Sequence, residues 1–593
     1  MHRTDRPHSP PPQHVLRDYA LLADGERGLL VGPHGDVAWM CFPSWHSDAV
    51  FASLIGGDSH YTVQPSGRYV WGGYYEDVGL IWRARWITDE GITECREALA
   101  FPGGRRHAVL LRRVIAVEGT SHVDVTLSPG ARFDRDRMTE PRRHAASGDW
   151  HARAGDILLR FRGAPEAVVA QGGTGTELHM ALTVPPGFYH DLVFELSEAP
   201  LDPPPAADLP GEADAMWEAT ESAWLSAVPR FESTLAPRDS RQAYAVLRGV
   251  TSSSGGMVAA STTGLPERAD KGRNFDYRYV WVRDQCYAGQ AVAVAGAYPL
   301  LDDAADFISA RLLEDGRNLM PAYTVGGGPV PPEQTLSLPG YPGGNGIVGN
   351  HVRSQFQLDA FGESLLLLAA AARHGHIDKD RYRAAAIAAD AIAQCWQKPD
   401  AGVWELGDSR WTQSRLVCAA GLRAMAGTAA STGDAAEWSA LADAIVANAA
   451  RDSLHPTGRW QRAPEDDRVD AALLLASLRG AVPAYDPRSR ATVDSVRDEL
   501  TQEGFVYRFR HDERPLGTTE GAFLLCGFWM ALAEHQQGHE AAALRWFERN
   551  RAAAGTTGLF SEEYDVDQHQ LRGNLPQAFV HALLLETSST LSG

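Results

Sequence analysis

Two hydrophobic periodicities divide the chain into an N-terminal and a C-terminal part. In residues 122–127 apolar and polar residues alternate, and residues 157–162 repeat the alternation before a turn that contains Gly and Pro. A period of two is typical of half-buried strands in antiparallel sheets. We therefore predict a β-sandwich domain over residues 14–198, in which two sheets pack face to face.

From about residue 239 onward, apolar residues recur at helical spacing instead. Leu358, Phe361, Leu365 and Leu368, for example, fall on one stripe of a helix. Twelve periodic segments predict helices near 240–252, 281–297, 299–314, 351–374, 378–396, 411–429, 433–452, 467–480, 487–502, 518–536, 538–553 and 575–590. Six helical hairpins can close into an (α/α)6 toroid whose loops line a central cavity at one end. The predicted fold class is therefore multidomain α+β, with a β-sandwich followed by an (α/α)6 domain over residues 239–593.

Two further segments interrupt these patterns. Residues 1–13 are polar and proline-rich and lack the apolar stretch of a secretory signal peptide, so we expect a disordered tail. Residues 199–238 begin with a proline-rich run, which is typical of a stiff connector, and continue with helical spacing from 211 to 228. We interpret 199–238 as a linker that includes a linker helix.

Composition narrows the functional classes. A chain of 593 residues with 44% hydrophobic and 22% charged residues is typical of a globular protein with more than one domain. A net charge of −20 disfavours nucleic acid as a partner, because phosphate binding needs clustered Lys and Arg. No stretch approaches 18 uninterrupted apolar residues, so we expect no membrane span.

The cysteines indicate a compartment. The six of them are scattered without a CxxC pair, a spacing that fits neither a zinc site nor a disulfide scaffold. We therefore predict free, mostly buried thiols in a reducing environment, and hence a cytoplasmic protein.

Two glutamates stand in unusual loop settings. Glu405 follows Trp404 in a Gly-containing loop, and partial shielding of a carboxyl group from water favours the protonated form that a general acid needs. Glu562 is followed directly by Glu563, and repulsion between adjacent carboxylates turns one of them into a polar network. Glu562 would then activate a water molecule, with Glu563 or Tyr564 positioning it. Two separated carboxyl groups suffice to cleave a glycosidic bond, although a solvent-exposed loop is the commoner place for either residue alone.

A third segment, residues 273–284, is dense in aromatic and charged side chains just before a predicted helix. Arg283 can donate to sugar hydroxyls and Asp284 can accept from them. Tyr277 and Trp281 can stack on a sugar face or form the wall of a pocket. The alternative is an ion-paired helix start with ordinary aromatic packing.

In the order of its motifs, the chain resembles glycoside hydrolase family 15, the glucoamylase-like enzymes, over nearly its whole length. The bacterial form of this family has an N-terminal β-sandwich, a linker helix and an (α/α)6 catalytic domain. The matching segments are 18–22, 35–43, 277–284, 355–363, 402–405, 520–525, 561–563 and 573–579.

The resemblance assigns roles to these residues. It implies that Glu405 is the general acid and Glu562 the general base of a reaction that inverts the anomeric centre, with carboxyl groups roughly 6.5–9.5 Å apart. Arg283 and Asp284 match the pair that grips the non-reducing glucose, Tyr277 a tyrosine beside the attacking water, and Trp281 a wall of the pocket.

Three weaker matches complete the candidate site. Arg508 resembles an arginine that reaches the bound sugar, and Trp404 belongs to the matching loop of the general acid. Glu563 and Gln577 are candidates for supporting groups behind the substrate, or for purely structural ones.

Two loops depart from the pattern of the family. Leu406 follows the predicted acid where many members have a polar or charged residue, and the loop 340–350 lacks the arginines that are common in bacterial relatives. Both loops are expected to border the leaving sugar, so the departures put the leaving group in doubt.

The resemblance implies an exo-acting α-glucoside hydrolase that releases β-glucose from the non-reducing end of α-linked gluco-oligosaccharides. An α,α-trehalase of the same family is the alternative. A phosphorylase would have no use for a base at position 562, and a non-catalytic glucan-binding module would not need either glutamate. No metal-ligand spacing and no phosphate-binding loop is visible, so we expect a small-molecule glucoside as the partner and no cofactor.

Overall fold

The computed structural model describes residues 11–172, 175–201, 209–268, 273–429, 431–511 and 513–593. Most of the predicted tail (1–10) and most of the proline-rich run of the predicted linker (202–208) lie outside the described residues. The predicted domain boundaries stay predictions, and the elements on either side of them are as follows.

The N-terminal part contains two antiparallel sheets. In the described residues the strands are β1 Ala20–Ala23, β2 Gly28–Val31, β3 Asp36–Cys41, β4 Ala49–Phe51, β5 His60–Pro65, β6 Tyr69–Tyr75, β7 Trp82–Thr88, β8 Gly91–Leu99, β9 His107–Glu118, β10 Ser121–Ser128, β11 Gly130–Ala131, β12 Asp136–Arg143, β13 Trp150–Ala154, β14 Ile157–Arg162, β15 Val168–Gly172, β16 Gly175–Val184 and β17 Tyr189–Ser197. One sheet has the order β1-β2-β3-β5-β10-β16-β15, with β4 paired to β3, and the other has the order β11-β12-β13-β14-β17-β9-β8-β7-β6.

The two sheets pack against each other through aromatic side chains. Tyr61 of the first sheet meets Phe161 and Phe194 of the second, with ring centroids 5.7 and 5.9 Å apart. On β10, Val123 and Val125 are buried whereas His122 is exposed, as the alternation predicts. The predicted β-sandwich is therefore confirmed.

The C-terminal part is helical. The helices in the described ranges are α1 Leu209–Ala227, α2 Pro237–Gly249, α3 Val282–Val294, α4 Tyr298–Asp315, α5 Asp359–Arg373, α6 Lys379–Cys395, α7 Thr412–Ala426, α8 Thr432–Asp452, α9 Leu475–Leu478, α10 Pro487–Glu499, α11 Leu524–Gln536, α12 Glu540–Arg551 and α13 Ala578–Thr590. Short strands lie between them: β18 Val280–Trp281, β19 Ala322–Tyr323, β20 Gln334–Thr335, β21 Ile347–Val348, β22 Thr501–Gln502, β23 Phe505–Val506, β24 Ala522–Phe523, β25 Glu563–Asp565 and β26 Gln570–Arg572. Helix α2 begins at Pro237, inside the predicted linker, because proline suits the first turn of a helix.

The helices form two layers. Helices α3, α5, α7, α9, α11 and α13 contact one another in this order, and α13 contacts α3, so they form a closed inner ring. Helices α2, α4, α6, α8, α10 and α12 each pack against the outside of this ring. Burial follows the layers, since α11 is apolar on all sides and buried along most of its length, whereas α12 buries only Ala543, Phe547 and Asn550. The predicted toroid is confirmed.

Inner helices α5 and α7 approach each other at backbone distance. A Cβ atom on Gly362 would lie 2.7 Å from the backbone nitrogen of Cys418, and a Cβ atom on Gly421 would overlap the carbonyl oxygen of Gly362. Glycine at both positions is therefore a packing requirement.

A buried ion pair of the helical domain lies at its contact with the β domain. Arg278 pairs with Asp276 at 2.8 Å and also donates to the backbone oxygen of Ser47 at 2.7 Å. Trp39 of the sandwich donates to the backbone oxygen of Ser261 at 2.8 Å. These contacts tie the segment before α3 to the β domain.

A smaller prediction, on the cysteines, is also met. All six cysteines are buried and unpaired, as predicted. Among the helices of the described ranges, none combines the length and the apolar character needed to cross a membrane.

We expect Gly362→Ala to destabilise the protein by about 2–3 kcal/mol, because the added methyl group collides with the backbone of α7. The matched control is Gly427→Ala, where an added Cβ atom meets nothing closer than 3.5 Å. Thermal unfolding followed by circular dichroism measures both. Equal melting temperatures for Gly362→Ala and the wild type would contradict this account of α5–α7 packing.

Candidate active site

Most of the predicted site residues meet at one end of the inner ring. Arg283 lies in the first turn of α3, Glu405 on the loop before α7, and Glu562 on the segment before α13. All three line one cavity, together with Tyr277 and with Trp404. Arg508, between α10 and α11, lines it as well. These residues are far apart in the sequence and are brought together because the inner helices form a closed ring.

Glu405 sits at the tip of a tight turn. Its backbone has a left-handed φ of 55°, and its N–H donates to the carbonyl of Gly402 at 3.1 Å. The indole N–H of Trp281 donates to Oε1 of Glu405 at 2.6 Å, and the Arg283 guanidinium lies 3.6 Å from the same oxygen. The Glu405 side chain keeps 22% of its surface exposed and so reaches the cavity.

Buried groups fix the turn from behind. Asp400 accepts from the backbone N–H of Gly402 at 2.8 Å and from the Ser414 hydroxyl at 2.9 Å. Gly402 has a φ of 69°, and a Cβ atom there would lie 2.6 Å from the Trp411 ring. The conformation of this loop therefore depends on the Asp400 carboxylate and on a glycine at position 402.

Glu562 is buried on the opposite segment. The Tyr277 hydroxyl donates to its two carboxylate oxygens, at 3.2 and 3.1 Å. Burial, chiefly, and the neighbouring Glu267 raise the pKa of Glu562 well above its usual range, whereas Arg508 and the Tyr277 hydroxyl act in the opposite direction. Burial and the nearby Glu562 also raise the pKa of Tyr277, which therefore stays protonated as a donor.

Two aromatic rings connect the glutamates. The rings of Tyr277 and Trp281 meet edge to face, with centroids 5.4 Å apart. One ring donates to Glu562 and the other to Glu405, so the pair holds both carboxyl groups on one short segment of chain. Trp281 acts from behind the cavity rather than as part of the lining found in the described residues.

Arg283 and Asp284 occupy different depths. The Arg283 guanidinium faces the cavity and donates to the carbonyl of Val403 at 2.7 Å. Asp284 accepts from Arg283 at 3.3 Å and is only 1% exposed, outside the lining that the described residues form. Burial, opposed by Arg283, raises the pKa of Asp284 to about 6. Sugar binding by Asp284 stays a prediction.

Arg508 joins a second polar cluster at the cavity wall. It forms an ion pair with Glu520 and lies over the Phe523 ring, 4.5 Å from the centroid. The Trp404 indole N–H donates to Asp470 at 2.8 Å. Both cavity-lining side chains are thus oriented by buried carboxylates.

Glu563 points away from the cavity. It lies on β25, where successive side chains face opposite sides, so Glu562 and Glu563 cannot both line the cavity. Its carboxylate accepts from the backbone N–H of Gly521 at 2.7 Å. Gln577 is buried at the start of α13, where its backbone N–H donates to Phe560 at 2.8 Å.

The sequence did not reveal several lining residues. Glu267 lines the cavity, is buried, and has its carboxylate 3.2 Å from Arg273. Burial raises the pKa of Glu267. Its setting in the sequence, Pro266 before it and Arg268 after it, carries no spacing signal. Asn350 and His351 also line the cavity; Asn350 is the last residue of the loop that departs from the pattern of the family, and His351 follows it directly.

Within the described ranges, no group of three or more His, Cys, Asp or Glu side chains is arranged to hold a metal ion. The chemistry available to the site is therefore that of carboxyl groups, with arginine and aromatic N–H and O–H donors around them.

Comparisons with known proteins fit this arrangement. A family model described as "Glycosyl hydrolases family 15" matches residues 241–589, and one described as "Trehalase-like, N-terminal" matches residues 12–144. The chain is 30% identical to a protein named "Trehalase" from Mycobacterium tuberculosis, over 96% of this chain and 88% of that protein. It is 31% identical to "Trehalase 1" from Sulfolobus acidocaldarius, over 60% of this chain and 63% of that protein.

Among solved structures, a bacterial glucoamylase complexed with acarbose is similar over 100% of this chain and 96% of its own, with a TM-score of 0.67. At 13% sequence identity this likeness concerns the fold alone. It covers both the β domain and the helical domain.

Proposed function

Because the chain belongs to glycosyl hydrolases family 15, we propose that it hydrolyses α,α-trehalose, with Glu405 as general acid and Glu562 as general base. The observation that carries the pairing of the two glutamates is the Tyr277–Trp281 pair, which supplies one donor to each glutamate at the same cavity. The division into acid and base follows the resemblance of the motifs to those of the family. Membership of the family makes the protein a glycoside hydrolase; the substrate and the roles are the proposal.

In the proposal Glu405 is the acid. Trp281 and Arg283 both approach Oε1, which leaves Oε2 as the oxygen that delivers a proton to the substrate. From Oε2 the proton passes to the bridging oxygen as the glycosidic bond breaks. The leaving glucose then departs as a neutral alcohol.

The contacts of Glu562 fit a base. Burial raises the pKa of Glu562 well above its usual range, whereas the Tyr277 hydroxyl and Arg508 favour the ionised form in which the residue would act as a base. In inversion, a water molecule between this carboxylate and the anomeric carbon attacks from the face opposite the leaving group. Glu562 removes the proton from that water as the new bond forms.

Trehalose is favoured over other α-glucosides by the relatives that resemble the whole chain. The match to the Mycobacterium tuberculosis trehalase spans both domains, and the β domain matches a trehalase-like family model of its own. The β domain also braces the loop 340–350, since Tyr341 donates to the backbone oxygen of His14 at 2.6 Å and Gly340 to that of Ile55 at 2.9 Å. That loop ends at Asn350, which lines the cavity.

Exo-acting hydrolysis of maltose, isomaltose or dextrins is the second candidate. The observation in its favour is the likeness to the bacterial glucoamylase, which at 13% identity supports a shared fold. The relatives therefore favour trehalase activity over the glucoamylase-like activity that the sequence motifs suggested first.

We expect glucose release from trehalose to exceed release from maltose, isomaltose and dextrin by at least about 100-fold in kcat/KM, because a pocket shaped for one leaving sugar discriminates by several kcal/mol. Coupled glucose assays on this panel measure the ratios of kcat/KM.

Glu405→Gln should lower kcat at least 1,000-fold, on the order of 4 kcal/mol, while trehalose binding persists.

Preferential cleavage of maltose or dextrin would contradict the trehalase proposal and favour the second candidate. Sugar binding without hydrolysis of any member of the panel, in both wild type and Glu405→Gln, would favour a non-catalytic glucan-binding module.

Tyr277→Phe tests the proposed base. The Tyr277 hydroxyl lowers the pKa of Glu562, so its removal raises that pKa. Glu562 must be ionised to act, and the acidic limb of kcat/KM should therefore move up by about one pH unit, the equivalent of one hydrogen bond to a charged group. Tyr485→Phe, at a residue that is 75% exposed, is the control. An unchanged acidic limb in Tyr277→Phe would rule out Glu562 as the titrating base.

A further inference from the structure

The cavity of the candidate active site has a deep end and a mouth. Glu562 is buried, whereas the Glu405 side chain keeps 22% of its surface exposed. In the proposed reaction the attacked glucose therefore lies at the deep end, and the leaving glucose lies on the outward side of the acid. Apart from the predicted site residues, four of the described lining residues are not buried, and they form what we call the mouth: Arg273, Phe275, His351 and Leu406.

His351 is the polar group that the mouth offers to a sugar. The guanidinium of Arg273 is already engaged by Glu267 at 3.2 Å, and Leu406 presents only apolar atoms beside the acid. The His351 side chain is 53% exposed, and its Nδ1 lies 4.0 Å from Oε2 of Glu333, which is too far for a hydrogen bond. The ring nitrogens of His351 can therefore bond to a sugar hydroxyl, as donor or as acceptor.

Three aromatic rings connect the deep end to the mouth. The Phe275 ring is nearly parallel to the ring of Tyr277, with planes 9° apart and centroids 6.3 Å apart. On its other side the Phe275 ring meets the ring of His351, again with centroids 6.3 Å apart. Tyr277 donates to the proposed base, so the row of rings runs from Glu562 outward to solvent. A sugar has apolar C–H faces, and Phe275 provides a ring on which such a face can pack.

Hydrogen bonds fix His351 beside Phe275. The side-chain nitrogen of Asn350 donates to the backbone oxygen of Asp276 at 3.3 Å. The side-chain oxygen of Asn350 accepts a backbone N–H at 2.9 Å from the short 3-10 helix His351–Ser354, which it caps. Because Asp276 follows Phe275 directly, the same segment of chain positions both rings of the mouth.

We propose that Phe275 and His351 are specificity-determining residues for the leaving glucose, which packs on the Phe275 ring and forms a hydrogen bond with His351. The inference rests on the proposed function, because the roles of Glu405 and Glu562 set the direction in which the substrate lies. It deepens that function by naming the residues that distinguish one leaving sugar from another. Arg283 and the deep end serve the attacked glucose instead.

The test compares two substrates that share the attacked glucose and differ in the leaving group, trehalose and α-glucosyl fluoride. Phe275→Ala and His351→Leu should each lower kcat/KM for trehalose about 10-fold, the loss expected for one stacked ring or one hydrogen bond. Hydrolysis of α-glucosyl fluoride, which has no leaving sugar, should keep its kcat/KM in both variants. A coupled glucose assay measures the first reaction, and a fluoride electrode measures the second.

Matched control variants lie away from the cavity. Phe188→Ala changes a phenylalanine that is exposed in the β domain, and His374→Leu changes a histidine that is exposed directly after α5. Both should hydrolyse both substrates as the wild type does. Phe275→Tyr keeps an aromatic face at the mouth and should retain the activity on trehalose that Phe275→Ala loses. Circular dichroism melting establishes that each variant folds.

Equal losses on trehalose and on α-glucosyl fluoride would show that the variants disturb the deep end, and would overturn the inference. Unchanged kcat/KM for trehalose in Phe275→Ala and His351→Leu would overturn it as well. Failure of the proposed function is visible in the wild type alone, as a preference for maltose over trehalose. The same comparison is then made with maltose, where a loss confined to the disaccharide still supports the inference.

Discussion

The edge-to-face contact between Tyr277 and Trp281 is the interaction on which the candidate site depends. Each ring carries one polar hydrogen, and the two hydrogens point to different glutamates. The rigid rings therefore link Glu405 to Glu562 through one ring contact and a hydrogen bond at each end. In the proposed inverting reaction, the acid and the base must leave room for a water molecule between them.

The same segment ties the candidate site to the β domain. Arg278 follows Tyr277 directly, yet its guanidinium turns toward the sandwich, where it reaches the backbone of Ser47. Asp276 neutralises it in a fully buried pair. Removing one partner of a buried pair costs about 3–5 kcal/mol, so the position of Tyr277 is tied to the interface between the domains. The segment thereby joins the candidate site to the packing between the domains.

Much of this fold could be predicted from periodicity, and the failures share a physical cause. The pattern predicts helices over 351–374 and 518–536, but α5 begins at Asp359 and α11 at Leu524. In both cases the residues just before the inner helix are not α-helical and lead to the cavity. The spacing of apolar residues does not show where the α-helix begins. The predicted helix at 467–480 shortens for the same reason, since Asp470 turns back to hold Trp404.

The site residues also divide into those that the sequence reveals and those that it does not. Glu405, Glu562 and Arg283 could be found because they stand in local motifs that the family preserves in order. Glu267 could not, because it contributes through burial and through a partner whose contact depends on the closed ring. Glu563 was predicted to act beside Glu562 because the two are adjacent in the sequence. In a strand, adjacent side chains face opposite sides, so Glu563 points away from the cavity that Glu562 lines.

The central claim is that Glu405 and Glu562 act on opposite faces of one anomeric carbon. Proton NMR of the first products of trehalose hydrolysis, recorded before mutarotation, tests it most directly. Inversion converts the attacked glucose to the β-anomer and releases the other as the α-anomer, so the account predicts equal amounts of the two. Initial release of α-glucose alone would show retention and contradict the account.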